Sequence, residues 1–183
     1  EDPGDRVVIG NSLPRYSYTF GGDFSWNGID FSILFQGVGK RNWYPSSGQA
    51  NLFWGPYCRP HNTFLSQQLV DQVWSEDNTD AYFPFPRGYE AYSDNTNSHY
   101  TLTSPNDRYI QNVAYLRLKN LTVGYTLPKK FLNKTKIDNL RFYISGQNLF
   151  TICNAYDGYD PESKINSFYP VMQVYTFGVD LRF

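Results

Sequence analysis

No stretch of this sequence is apolar enough to cross a membrane as a helix, which needs about 20 predominantly apolar residues in a row. Helical spans are therefore excluded, and a β-barrel wall is not. Histidine is scarce: His61 and His99 are the only two, and no GxSxG, HExxH, GxGxxG or P-loop spacing accompanies them. The sequence thus gives no reason to propose catalysis or a bound cofactor. Cys58 and Cys153 lie far apart without a CxxC or Cys/His grouping, so zinc and redox motifs are missing. A disulfide between two loops and a pair of free thiols both fit. A formal charge of -1 supplies no general attraction to nucleic acid. No basic-then-apolar leader opens the chain, so we expect that it was removed or that the chain begins inside a longer one.

Aromatic residues, in contrast, reach 19% while the mean hydropathy is only -0.53. A water-soluble core normally shares its burial with aliphatics, whereas a wall at a lipid boundary favours amphipathic rings. The residues are arranged accordingly. "YSYTFGGDFSW" places Tyr16, Tyr18, Phe20, Phe24 and Trp26 on one face, with Ser17, Thr19, Asp23 and Ser25 on the other. Asn27-Gly28 follows, a pair suited to the positive φ angles of a type I′ hairpin turn. "IDFSILFQG" then repeats the alternation with Ile29, Phe31, Ile33 and Phe35.

Residues 40–112 break the pattern, and only "TFLSQQLVDQVW" reads as helical, with Leu65, Leu69, Val73 and Trp74 near one side. Alternation resumes in "AYLRLKNLTVGYTLP". Leu116 and Leu118 lie on one phase and Leu121, Val123, Tyr125 and Leu127 on the other, which implies a bulge near Lys119 and Asn120 or a change of neighbours there. "LRFYISGQNLF" and the closing "VYTFGVDLRF" complete the set. The expected fold is all-β, with antiparallel strands at about 16–26, 29–39, 114–127, 140–150 and 171–183. Short and long connections alternate, as in an up-and-down transmembrane barrel. Five strands cannot close one, since the smallest need about eight, so the chain is expected to be a fragment or to be completed by another.

At this point several blocks resemble one family. "VIGNSLPRYSYTFGGDFSWNGIDFSILFQGVGKR", "VWSEDNTDAYFPFPR", "YLRLKNLTVGYTLPKKF", "LRFYISGQNLFTICNAYDGYDPE" and "YTFGVDLRF" are similar, in this order, to the carboxyl-terminal part of the SusC/RagA family of TonB-dependent outer-membrane transporters of Bacteroidota. The resemblance implies the last five strands of a barrel of the plugged, roughly 22-stranded class. It also implies a multi-pass location in the bacterial outer membrane and import of glycans or peptides under a SusD-like lipoprotein lid. The expected partners are the rest of the same barrel, the lid, outer-membrane lipid, cargo, and TonB acting through a plug that is absent from this chain. By family topology, 40–112 and 151–170 are extracellular loops and the turns at Asn27-Gly28 and 128–138 are periplasmic.

Each feature that stands out has a plainer reading beside the functional one. Tyr175, Phe177, Val179, Leu181 and Phe183 form a candidate signal for outer-membrane assembly, and the same alternation suits an edge strand of a soluble sandwich. Trp43, Tyr44, Trp54, Tyr57, Trp74, Tyr82, Phe83 and Phe85 enrich the long loop in rings that either meet cargo or lid, or pack the loop on itself. Asp157, Asp160 and Glu162 in "YDGYDPE" offer oxygens for calcium, but an Asp-Gly, Asp-Pro turn explains them more simply, so no metal site is assigned. Lys129, Lys130, Lys134 and Lys136 face either anionic groups or water. The competing function is a secreted, soluble β-sandwich that binds glycans.

Overall fold

The computed structural model describes residues 7–45, 54, 57, 67–85, 104–133, 136–155, 160–162 and 171–183. Leu65, His61, His99, Cys58, Lys134 and Asp157 lie outside the described residues. The chain divides into two compact units, one formed mainly by residues 43–111 and the other by 11–42, 112–155 and 159–183.

The second unit is an antiparallel sheet. Its strands are β1 (Tyr16–Trp26), β2 (Ile29–Gly39), β5 (Tyr115–Thr126), β6 (Asn139–Gln147) and β8 (Val174–Arg182), hydrogen-bonded in the order β1-β2-β5-β6-β8. β7 (Thr151–Cys153) also pairs with β5, through Tyr115, Leu116 and Arg117. A separate two-stranded sheet joins β3 (Asn42–Trp43) to β4 (Gln111–Asn112). The β1-β2 hairpin turns on Asn27 at φ 50° and Gly28 at φ 87°, a region where glycine and asparagine are favoured.

Directly paired residues share a face, so register shows which side chains travel together. Phe24 pairs with Phe31, Phe31 with Val123, Val123 with Ile144 and Ile144 with Phe177, one apolar row across all five long strands. The neighbouring row, Ser25, Asp30, Gly124, Tyr143 and Gly178, lies on the opposite face. Between Leu34 and Phe35 the register slips: Leu34 faces Asn120 and Phe35 faces Leu118, so Lys119 has no partner on β2. This bulge brings Leu116 and Leu118 onto the face of Leu121 and Val123 despite their opposite sequence phase.

Two sequence expectations need correction. The strand expected at 140–150 ends at Gln147, and β7 follows at Thr151–Cys153 within the connection expected at 151–170. Asn148, at φ 53°, interrupts the path, and its N–H donates to the carbonyl of the bulged Lys119, so the irregularity in β5 is matched on its partner. The helix expected across 63–74 is described only as α1 (Gln67–Asp71). It stops there because Gln72 and Trp74 exchange backbone hydrogen bonds with Phe83, both at 2.9 Å, and these displace the helical ladder. Among the described residues no helix is long and apolar enough to cross a membrane.

The first unit has an aromatic centre. Trp54, Tyr57 and Phe83 are completely buried, and Tyr109 nearly so. The Trp54 ring meets those of Tyr57, Phe83 and Tyr109 edge-on at 5.0–6.1 Å, and its Nε1 donates to the Pro45 carbonyl at 2.6 Å.

Candidate functional site

The five-stranded sheet is two-faced, and neither face resembles an ordinary protein exterior. On the apolar side Phe24, Trp26, Val123, Phe142, Ile144, Tyr175, Phe177, Val179 and Leu181 are all exposed, Phe177 at 77%. Large contiguous apolar surface of this kind marks contact with another protein or with lipid. The residues singled out from the closing strand are therefore on one face, and Phe183, just beyond β8, is 81% exposed.

The polar face carries an ion-pair ladder. Arg141 on β6 reaches across β5 and donates Nε and Nη2 to the two oxygens of Asp30 on β2, at 2.9 and 2.7 Å. Its Nη1 donates to Asp180 on β8 at 2.8 Å. Gly124, the β5 residue beneath this crossing, makes the reach feasible. A Cβ there would stand 2.4 Å from Asp30 Oδ1 and 2.7 Å from Arg141 Nε. One guanidinium thus ties together β2, β6 and β8 over a strand that has no side chain to obstruct it.

A second cluster sits farther along β5. Arg117, 2% exposed, donates Nε to Thr151 Oγ1 at 2.7 Å, Nη1 to Glu162 at 2.5 Å and Nη2 to both oxygens of Asp160 at 2.8 Å. Lys119, displaced by the bulge, adds a contact to Glu162 at 2.6 Å. Asp160 also accepts the N–H groups of Glu162 at 2.9 Å and Val171 at 3.1 Å, so one carboxylate holds the start and the end of the connection between them. The acidic pair weighed for calcium is instead engaged by two cations. Among the described residues no group of three or more metal-ligating side chains is present.

In the first unit the candidate contact residues separate by burial. Trp54 and Tyr57 form the aromatic centre, and Trp43 is also buried. Tyr82 is fastened by hydrogen bonds, receiving one from Gln111 Nε2 at 3.0 Å and donating to the Arg108 carbonyl at 3.0 Å. Tyr44 accepts from Asn106 Nδ2 at 2.8 Å. Burial holds the phenols of Tyr44, Tyr57, Tyr82 and Tyr109 above the ordinary tyrosine range, so they act as neutral hydrogen-bonding groups. Trp74 and Phe85 remain exposed, their rings edge-on at 6.1 Å.

No family model matches the chain. Over 98% of its length, however, it is 30% identical to TonB-dependent receptor P3 of Formosa agariphila, of which it spans 17%. The chain is thus similar to a segment of a TonB-dependent receptor. TonB-dependent receptor P26 of the same organism is 26% identical over 87% of the chain and is spanned to 14% of its length. The chain thus spans less than a fifth of the length of these relatives. Its fold is also that of part of the RagAB peptide importer. In the 'open-open' state of that importer the TM-score is 0.63 at 23% identity, covering 94% of this chain and 17% of the other. In the 'closed-closed' state the TM-score is 0.62 at 21% identity, with 95% and 18% covered.

The residues that organise the sheet, namely Asp30, Gly124, Arg141, Asp180 and Arg117, are not among those that stand out for function in the sequence. A signal existed: each arginine occupies the polar phase of an otherwise apolar strand, where a charge needs a partner.

Proposed function

We propose that this chain is five strands of the wall of an outer-membrane transporter, of the roughly 22-stranded class, that imports glycans or peptides beneath a SusD-like lipoprotein lid. The observation that carries the reading is the pairing of an exposed apolar face with an ion-paired polar face on one sheet. A bilayer accepts the first and a wet lumen the second. Likeness to a peptide importer supports peptide cargo alongside glycans. In this reading the Asn27-Gly28 turn and the connection between β5 and β6 face the periplasm, while the long segments 40–112 and 151–170 lie outside. Trp74 and Phe85 are then the rings placed to meet cargo or lid.

A soluble sandwich would need a second sheet to cover the apolar face. Among the described residues the only other sheet has two strands of two residues each, too little to do so. The test is solubility. Produced alone in plain buffer, residues 1–183 should aggregate or require detergent, because among the described residues nothing pairs with the outer edges of β1 and β8 or covers the apolar face. A monodisperse, water-soluble domain with cooperative unfolding would overturn the proposal.

A further inference from the structure

The β5-β6 connection carries a surface that the wall function does not use. α2 (Lys129–Leu132) is separated from the end of β5 by Leu127 and Pro128, and its turn is ordered by the Phe131 N–H, which donates to the Pro128 carbonyl at 3.0 Å. Leu132 is buried, whereas Phe131 points outward with 65% exposure. Lys129 and Lys130 precede it, with Lys130 Nζ 5.6 Å from the Phe131 ring centre, and Lys136 is also exposed. Among the described residues none of these three ammonium groups forms a salt bridge. Of the four strand cations, Arg117, Lys119 and Arg141 are matched by carboxylates, whereas Arg182 at the end of β8 forms no salt bridge among the described residues. Asp138 is the sole acidic residue between Leu127 and Asn139.

We propose that this connection is a docking surface for the anionic headgroups of membrane phospholipids. The inference rests on the membrane reading above. The chemistry is graded along one end of the sheet. The apolar face ends there in exposed Trp26 and Tyr125, rings suited to an interface, and the unpaired lysines lie beyond them. Phe131 enters the acyl boundary, and Lys129, Lys130 and Lys136 offer N–H donors and positive charge to phosphate. Membrane attachment of this sort combines an apolar anchor with a basic cluster, because neither is sufficient alone. A phosphate-bearing lipid is favoured over a protein partner because the lysine cluster continues directly from a surface already assigned to hydrocarbon.

The test uses the full-length transporter, purified and placed in nanodiscs of mixed phosphatidylglycerol and phosphatidylcholine, with retained lipid measured by native mass spectrometry after detergent exchange. Wild type should retain phosphatidylglycerol preferentially. Each lysine near an anionic surface is worth about fivefold in partition, so K129Q/K130Q/K136Q should lower the preference on the order of a hundredfold. Phe131→Ser should reduce total retained lipid without altering the preference. Both variants should keep wild-type heat-modifiable gel mobility, the sign of an assembled barrel. A triple variant with undiminished preference, or a wild type without one, overturns the inference. So does loss of a cross-linked envelope protein in the triple variant without any change in lipid, which would assign the patch to protein. A full-length protein that stays monodisperse without detergent or lipid defeats the membrane reading itself, while one that inserts but does not discriminate between the lipids defeats only this inference.

Discussion

Arg117 and Asp160 meet through both carboxylate oxygens at 2.8 Å, with side-chain exposures of 2% and 8%. The pair is separated by 43 residues in sequence and joins the polar face of β5 to the connection that leads into β8. Removing one member of a buried pair strands the other charge, which costs about 3–5 kcal/mol. Arg117→Met should therefore be the most damaging change in the cluster, since it takes the guanidinium from Asp160 and Glu162 together and leaves Asp160 with backbone N–H donors and Glu162 with Lys119. Asp160→Asn should follow, and Glu162→Gln, at 25% exposure, should cost least. Denaturant unfolding of the detergent-solubilised barrel gives the order. A milder effect for Arg117→Met than for Glu162→Gln would show that the cluster does not hold this corner.

The ion ladder across β5 gives a paired test. Gly124→Ala places a methyl group 2.4 Å from an Asp30 oxygen and should cost about 1–3 kcal/mol through overpacking and loss of the Arg141 contacts. Gly22→Ala meets nothing within 4 Å and should be neutral to within about 0.5 kcal/mol. Equal assembly of the two variants, read from folded-band intensity on unheated gels, would contradict the crossing.

The two faces of β8 should respond unequally to the same charge. Phe177→Arg introduces a guanidinium into the apolar face and should destabilise the barrel by about 2–4 kcal/mol, the range for arginine at the bilayer midplane. Thr176→Arg, on the polar face opposite Ser145, should cost clearly less. Asp180→Arg should fall between them, because it removes the carboxylate at 2.8 Å from Arg141 and substitutes a like charge. Heat-modifiable mobility of outer-membrane fractions measures all three, and equal tolerance at 176 and 177 would remove the physical basis of the membrane assignment.

Burial divides the loop aromatics into two experimental classes. Phe83→Ala, in the completely buried centre, should destabilise the first unit by about 3–5 kcal/mol and open it to limited proteolysis. Trp74→Ala and Phe85→Ala should leave the proteolytic pattern unchanged and lower cargo uptake or lid association. Loss of fold in the exposed pair, or intact fold in Phe83→Ala, would reverse the division.

Strand periodicity is a local property, and it was legible residue by residue. The alternation of Tyr16–Trp26, the Asn27-Gly28 turn and the phase change around Lys119 are all written into neighbouring positions, because each side chain's face depends only on its place along an extended backbone. The family resemblance drew on the same local blocks. The helix expected at 63–74 is present at Gln67–Asp71 and differs at its end for a related reason: apolar spacing does not reveal that Phe83 takes the backbone partners of Gln72 and Trp74. Tertiary pairing alone decided which charges meet and which rings are hidden. Asp30 and Arg141 stand 111 residues apart and become neighbours only through the registers of β2, β5 and β6, over a glycine whose missing side chain has no meaning until those strands align. Trp54 and Trp74 are equally aromatic in sequence, yet one is sealed among Tyr57, Phe83 and Tyr109 while the other remains exposed, because burial depends on long-range packing that no local pattern encodes.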